Sequence, residues 1–194
     1  MGLLAIGLAA QDHLDKRIAL ADINGAQQMP FAPAPGKLSA LFFITTDCPV
    51  SNSYAREIRR ICTTNAGHVN CFLVYTDPTI GIAAIAKHKQ DYGHGDYPAV
   101  LDVRHELVKA AGATVTPEVA LVDSSGTLVY RGRIDDGYVI AGRRRLNISD
   151  HNLTDAIDAA VAGKPITQPR TKASGCFITP VELLKSILAK PDLR

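Results

Sequence analysis

With 194 residues, 46% of them hydrophobic, the chain is long enough to bury one sizeable core, and nothing in its length demands a second domain. A formal charge of +2 is too small to direct it to nucleic acid; the basic residues are scattered apart from the run Arg143, Arg144 and Arg145, which reads as a solvated loop. There is no Trp, no fixed-period repeat, no low-complexity tract and no glycine-rich GxxxxGKS loop, which excludes repeat architectures and disfavours nucleotide chemistry.

The first apolar run, Gly2 to Ala10, would extend about 14 Å as a helix, half of the roughly 30 Å core of a bilayer, so it cannot span a membrane. Its sequence GLLAIGLAA has the character of the apolar part of a secretory signal without the usual preceding basic residues. Residues 1–16 are therefore read as a signal remnant or amino-terminal extension. A periplasmic or secreted location is the expectation this raises, with a cytoplasmic one left open. Arg17 to Ile23 alternates loosely and leads into Asn24-Gly25, a turn signal, before the proline-rich Pro30 to Pro35: a hairpin followed by a loop.

Leu38 to Thr45 (LSALFFIT) is a continuous apolar run of strand length, the pattern of a strand buried on both faces and hence of a parallel sheet. Pro49, Val50, Tyr54, Ile58 and Ile61 then recur near helical spacing, with Pro49 suited to the first helical position and Cys48 just before it. Val69 to Tyr75 is a second buried strand, Thr79 to Tyr92 a helix, Tyr97 to Leu101 a short strand, and Glu106 to Ala111 a helix closed by Gly112. Glu118 to Val122 and Thr127 to Arg131 flank Asp123-Ser124-Ser125-Gly126 and read as a hairpin. Asp155 to Val161 is a last core helix. Lys164 to Ile178 looks extended and irregular, until Thr179-Pro180-Val181-Glu182 supplies a capping box for a terminal helix.

Four cysteines, Cys48, Cys62, Cys71 and Cys176, are too few to staple a fold of this size, and none has CxxC spacing. Cys62 and Cys71 fall where a helix ends and a strand begins. They are expected to be bridged if the protein is exported and free if it is cytosolic. Cys48, at a strand-to-helix junction, faces unpaired amides and the positive end of the helix dipole, which favour thiolate. Thr45 and Ser51 are candidate hydrogen-bond donors to that sulfur, opposed by Asp47 if its carboxylate is close. An inert buried thiol is the plainer alternative.

The order of elements, together with the ITTDCP junction, the GATVTPE segment and the VDSSGTLVYRGRID hairpin, resembles the thioredoxin-like superfamily, most nearly its redoxin branch of alkyl hydroperoxide reductase and thiol-specific antioxidant domains. The resemblance covers residues 17–162, with 163–194 as a carboxy-terminal extension carrying Cys176. It implies an α/β fold of three layers, with a central mixed β-sheet flanked by helices. It further implies a cis peptide bond at Thr116-Pro117, with Pro117 facing the reactive sulfur and orienting a substrate strand. Two positions depart from the pattern: Ser51 stands where thioredoxins carry the second cysteine of CxxC, and Leu41 where peroxidatic redoxins carry the proline of PxxxTxxC.

The resulting expectation is a thiol-disulfide oxidoreductase with Cys48 as nucleophile, Cys176 on a tail that folds back to resolve it, and Pro117, Thr45 and Ser51 shaping the site. Cys176 as a structural cysteine anchoring the tail is the alternative. Its partners would be protein or small-molecule thiols and disulfides; the chemistry requires no cofactor and no metal. Three other readings stay open: a thiol peroxidase acting on peroxide, a copper-binding module using Cys48, Cys176 and a histidine, and a redox-inert interaction domain. His105 is a proton-donor or ligand candidate that reads more simply as polar surface. Arg131 and Arg133 alternate on one strand face, where pairing with Asp135 and Asp136 is expected over oxyanion binding.

Overall fold

A computed structural model describes residues 12–140 and 142–188. In chain order the elements are β1 (Leu20–Ala21), β2 (Gln27–Gln28), β3 (Leu38–Ile44), α1 (Pro49–Ser53), α2 (Ala55–Thr64), β4 (Val69–Tyr75), α3 (Ile82–Asp91), β5 (Ala99–Leu101) and α4 (Glu106–Ala111). They continue with β6 (Val115–Thr116), β7 (Glu118–Val122), β8 (Leu128–Gly132), β9 (Tyr138–Ile140), β10 (Arg143–Arg144), α5 (Asn152–Val161), β11 (Cys176–Phe177) and α6 (Val181–Leu188).

Every residue of β3 is buried because it is the middle strand of a five-stranded sheet ordered β5-β4-β3-β7-β8. It runs parallel to β4, with Leu38 opposite Val69 and Ile44 opposite Tyr75, and antiparallel to β7, with Phe43 opposite Glu118. The sheet is thus mixed. Alternate β3 residues serve opposite layers. Ala40, Phe42 and Ile44 join Leu73, Tyr54, Ile58, Ile61, Ile85 and Leu153 from β4, α2, α3 and α5 and the residue before α2. Leu41 and Phe43 join Phe31, Leu107 and Val108 on the other face. This is the three-layer α/β arrangement anticipated above.

Departures from the expected elements have local causes. The long helix after Cys48 is two helices, broken at Tyr54, whose amide reaches only back to Ser51 O at 3.1 Å and whose hydroxyl is committed across the fold to Asp135. The helix expected from Thr79 begins at Ile82, because Asp77 Oδ1 accepts from the Thr79 amide (2.8 Å) and hydroxyl (2.7 Å) and so holds a turn in place of a helical start. The arginine run read as a loop supplies β10, paired with β9 in a hairpin. Thr179 makes no side-chain hydrogen bond among the described residues, and Glu182 instead meets Lys109 at 3.3 Å, so the capping box is not formed.

The stretch 164–178 is extended as expected but not irregular throughout. Arg131 N donates to Pro169 O and Thr171 N to Arg131 O, each at 3.0 Å, laying the tail along β8 before β11 pairs with β6. Cys62 at the end of α2 and Cys71 in β4 are disulfide-bonded, with Cα atoms 6.0 Å apart, inside the roughly 7 Å limit for a bridge. The apolar run Gly2–Ala10 lies outside the described residues. No helix among those described is long and apolar enough to cross a membrane.

Candidate active site around Cys48 and Cys176

The carboxyl end of β3 delivers the chain into Thr45–Asp47, and Cys48, in extended conformation at φ −83°, ψ 110°, caps α1 with Pro49 at the first helical position. Proline suits that position because its missing N–H is one of those a helix start leaves unpaired anyway. The Cys48 sulfur itself is the cap, accepting the Ser51 amide at 3.4 Å. A sulfur so placed lies at the positive end of the helix, the environment that favours thiolate once the sulfur is free.

That sulfur is not free. Cys48 is disulfide-bonded to Cys176, 128 positions later, with Cα atoms 6.0 Å apart. The tail reaches it because β11 adds antiparallel to β6, Cys176 opposite Thr116 and Phe177 opposite Val115. A Cβ at Gly175 would collide with the Thr116 carbonyl, so only glycine lets the two chains approach this closely. The Thr116-Pro117 bond is cis, and Thr116 O lies 3.1 Å from the Cys48 sulfur. The structure therefore brings Cys48, Cys176, Ser51 and the Thr116-Pro117 segment together.

Thr45 is the exception. Its hydroxyl donates to Asp47 Oδ1 at 2.8 Å and not to the sulfur. Ser51 also acts differently from expectation: its backbone amide meets the sulfur, while its hydroxyl is buried without a partner among the described residues, as is that of Thr116. His105 is buried, not surface polar, and its Nε2 bonds Thr76 O at 2.6 Å, remote from any role at the sulfur. Arg131 and Arg133 do not pair with Asp135 and Asp136. Arg131 Nη1 donates to Gly112 O at 2.6 Å and its Nε lies 3.6 Å from Glu118, while Arg133 bonds Asn152 and Asp150 at 2.7 and 2.8 Å. Asp135 takes the Tyr54 hydroxyl, and Asp136 the Ser149 hydroxyl at 2.8 Å.

A polar chain at α1, exposed at Tyr92 and buried at His88 and Tyr75, escaped sequence reading. Asn52 Nδ2 donates to Thr46 O at 2.9 Å, in the loop that precedes Cys48, and to Tyr92 Oη at 3.1 Å. Its Oδ1 is left to accept from His88 Nε2 at 2.9 Å, so Nδ1 of the neutral ring accepts from the Tyr75 hydroxyl, also at 2.9 Å. Burial holds His88 below the ordinary histidine range. The same cause pushes its neighbour His94, ring centroids 5.5 Å away, down to about 4. The signal was present as Tyr75 and His88, polar groups at positions whose spacing marks them as core.

No three His, Cys, Asp or Glu side chains converge among the described residues, so the three-ligand copper arrangement is not assembled.

No protein-family model matches the chain, and no curated protein does. Solved structures do. A secreted Mycobacterium tuberculosis disulfide oxidoreductase homologous to DsbE of E. coli superposes with a TM-score of 0.53 at 15% identity, over 74% of this chain and 96% of the other. The chain has a thioredoxin-like fold. Two further similar structures follow the thioredoxin-like chain over more of its length. A hypothetical protein from Sinorhizobium meliloti 1021 gives a TM-score of 0.75 at 22% identity, over 89% of this chain and 95% of its own. An uncharacterized conserved protein from Geobacillus kaustophilus gives 0.74 at 20% identity, over 92% and 97%.

Proposed function

We propose that the protein is a thiol-disulfide oxidoreductase of redoxin type in which Cys48 is the nucleophile and Cys176 the resolving thiol. The observation that carries this reading is the disulfide between them, formed at a helix start beside Thr116-Pro117. In the reduced protein the Cys48 thiolate attacks one sulfur of a substrate disulfide, forming a mixed disulfide and releasing the first substrate thiolate. The Cys176 thiolate then attacks the Cys48 sulfur, closing the internal bridge and expelling the second substrate thiolate. Two electrons pass from the protein to the substrate. The Ser51 amide at the sulfur and the unpartnered Ser51 hydroxyl one turn along α1 both support a stabilised Cys48 thiolate.

Recycling runs the other way. Cys48 is 1% exposed, whereas Cys176 is half-buried and lines a cavity of about 290 Å³ with Asp47, Asp77 and Phe177. An external dithiol therefore attacks Cys176, Cys48, the better leaving group, departs as thiolate, and the second thiolate of the dithiol then breaks the mixed disulfide to release Cys176. Residues 163–194 act as an appendage to the 17–162 domain, and its Cys176–Phe177 segment occupies β6 when the bridge is closed and leaves it for a substrate strand when the bridge opens. No observation favours peroxide as substrate, since the Thr45 hydroxyl is engaged with Asp47. Two disulfides suit an oxidising compartment, and we place the protein outside the cytosol on that ground.

The test is disulfide reduction assayed with a cystine-containing peptide and an external dithiol. Cys48→Ser should abolish turnover, and Cys176→Ser should accumulate a mixed disulfide on Cys48, detected by mass mapping. Full turnover by Cys48→Ser would refute the assignment.

A further inference from the structure

Beside α1 runs a groove of about 610 Å³ that the proposed exchange does not use. Its floor is Tyr54 and Tyr138, ring centroids 5.7 Å apart. Both hydroxyls are engaged, Tyr54's on Asp135 and Tyr138's with Ser53 Oγ at 2.9 Å, and of the two rings Tyr54 is buried and Tyr138 half-buried. One wall is α2, which presents Arg56, Arg59 and Arg60; the other is the β9–β10 hairpin, which presents Arg144, with Ile148 beyond it.

The charges do not balance. Four arginines line the groove against two carboxylates, Glu57 and Asp135. Glu57 is already held by Arg60 through two hydrogen bonds of 2.9 and 2.7 Å. Asp135 is buried, occupied by the Tyr54 hydroxyl and by the Gly137 amide at 2.8 Å. Arg59 rests on Gly93 O at 3.2 Å. Arg56 and Arg144 both line the groove and have no ion-pair partner among the described residues.

The position of the groove ties it to the disulfide. Ser53, at its near end, belongs to the helix that Cys48 caps. The hairpin wall is fastened to the tail by Ser174 Oγ donating to Val139 O at 3.1 Å, two residues before Cys176. The ten residues of α2 run about 15 Å, the length of four or five residues of extended chain. A small anion would fill little of this.

We propose that the groove binds an acidic stretch of a polypeptide substrate and so presents the flanking disulfide of that substrate to Cys48. This rests on the function proposed above and names the substrate class. Carboxylates of the bound strand meet Arg56 and Arg144, whose planar guanidinium groups donate to them bidentately, and its apolar side chains lie against the half-buried Tyr138 ring.

The experiment uses the disulfide-intact protein and two labelled peptides of equal length, one rich in Asp and Glu and one rich in Lys, with serine in place of cysteine so that only non-covalent binding is read. Fluorescence anisotropy at low ionic strength should give at least about tenfold tighter binding of the acidic peptide, weakening as salt is raised. The double variant Arg56→Glu/Arg144→Glu should lose that preference, and Arg56→Gln/Arg144→Gln should lose part of it. Mass mapping of both disulfides confirms that each variant has folded. Equal affinity for the two peptides, or an acidic preference that survives charge reversal, would overturn the proposal. Turnover of a neutral small disulfide by the unaltered protein reports separately on the exchange chemistry: its absence sinks the oxidoreductase reading, while anisotropy still decides the groove.

Discussion

The two disulfides share a Cα separation of 6.0 Å and little else. Cys62–Cys71 closes nine positions between a helix and the strand that follows it, and both residues are buried, at 2% and 6% exposure. Cys48–Cys176 closes 128 positions and is held at its far end by a two-residue strand whose Phe177 is 85% exposed. Chain entropy alone would rank the long bridge as the stronger stabiliser, at about 5 against about 2.6 kcal/mol. Access ranks them the other way for reactivity. A bridge becomes a working group when one sulfur is reachable and the other is a good leaving group, and only the long bridge meets both conditions.

Activity should separate the two bridges most strongly. Cys48→Ser should lower disulfide exchange on the order of a thousandfold or more, while Cys62→Ala/Cys71→Ala should keep it. An inactive Cys62/Cys71 variant that is still folded would erase the distinction between the bridges.

Acid is the next probe, because two histidines, His88 and His94, are buried side by side near the α1 polar chain. His94 lies at about 4 in the folded protein against an ordinary 6.5, so between those values the unfolded chain holds a proton that the native one does not. Stability is therefore whole above about pH 6.5 and falls as pH drops toward 4, by about 3 kcal/mol if His94 acts alone. Urea denaturation across this range should show the slope, and His94→Leu should flatten it. A slope that persists unchanged in His94→Leu would assign the acid sensitivity elsewhere.

Removing the short bridge with Cys62→Ala/Cys71→Ala should cost about 2.6 kcal/mol in chemical denaturation. A negligible cost would mean that the packing of α2 on β4 already restricts the unfolded chain.

The smallest effect expected is kinetic. Limiting dithiol followed by alkylation and mass mapping should open Cys48–Cys176 at least about tenfold faster than Cys62–Cys71, with the first mixed disulfide on Cys176. First capture on Cys48 would reverse the proposed direction of recycling.

Much of this was legible in the amino-acid order. β3 and β4 were readable because a strand covered on both faces must be apolar throughout, and α4 because Gly112 closes it with φ 70°. Cys48 was readable because proline at a helix start is a local preference. The break at Tyr54 was not, since it accompanies a hydrogen bond to Asp135, 81 positions away. The partners of Arg131 and Arg133 were likewise misjudged from nearby Asp135 and Asp136. Strand proximity in sequence says nothing of Glu118, Asn152 and Asp150, which the fold carries to them.

By itself the sequence determined that a helix begins just after Cys48, that its strands are buried, and that Ser51 denies the sulfur a partner in its own helix, because these follow from side-chain periodicity and local backbone preference. The sequence also pointed to Cys176 as the missing partner, and the tertiary structure decided how the tail reaches Cys48. Cys176 reaches Cys48 because β11 pairs with β6 in a two-stranded sheet of their own and Gly175 lets the backbones meet, and that pairing joins segments far apart in sequence that only the fold brings together.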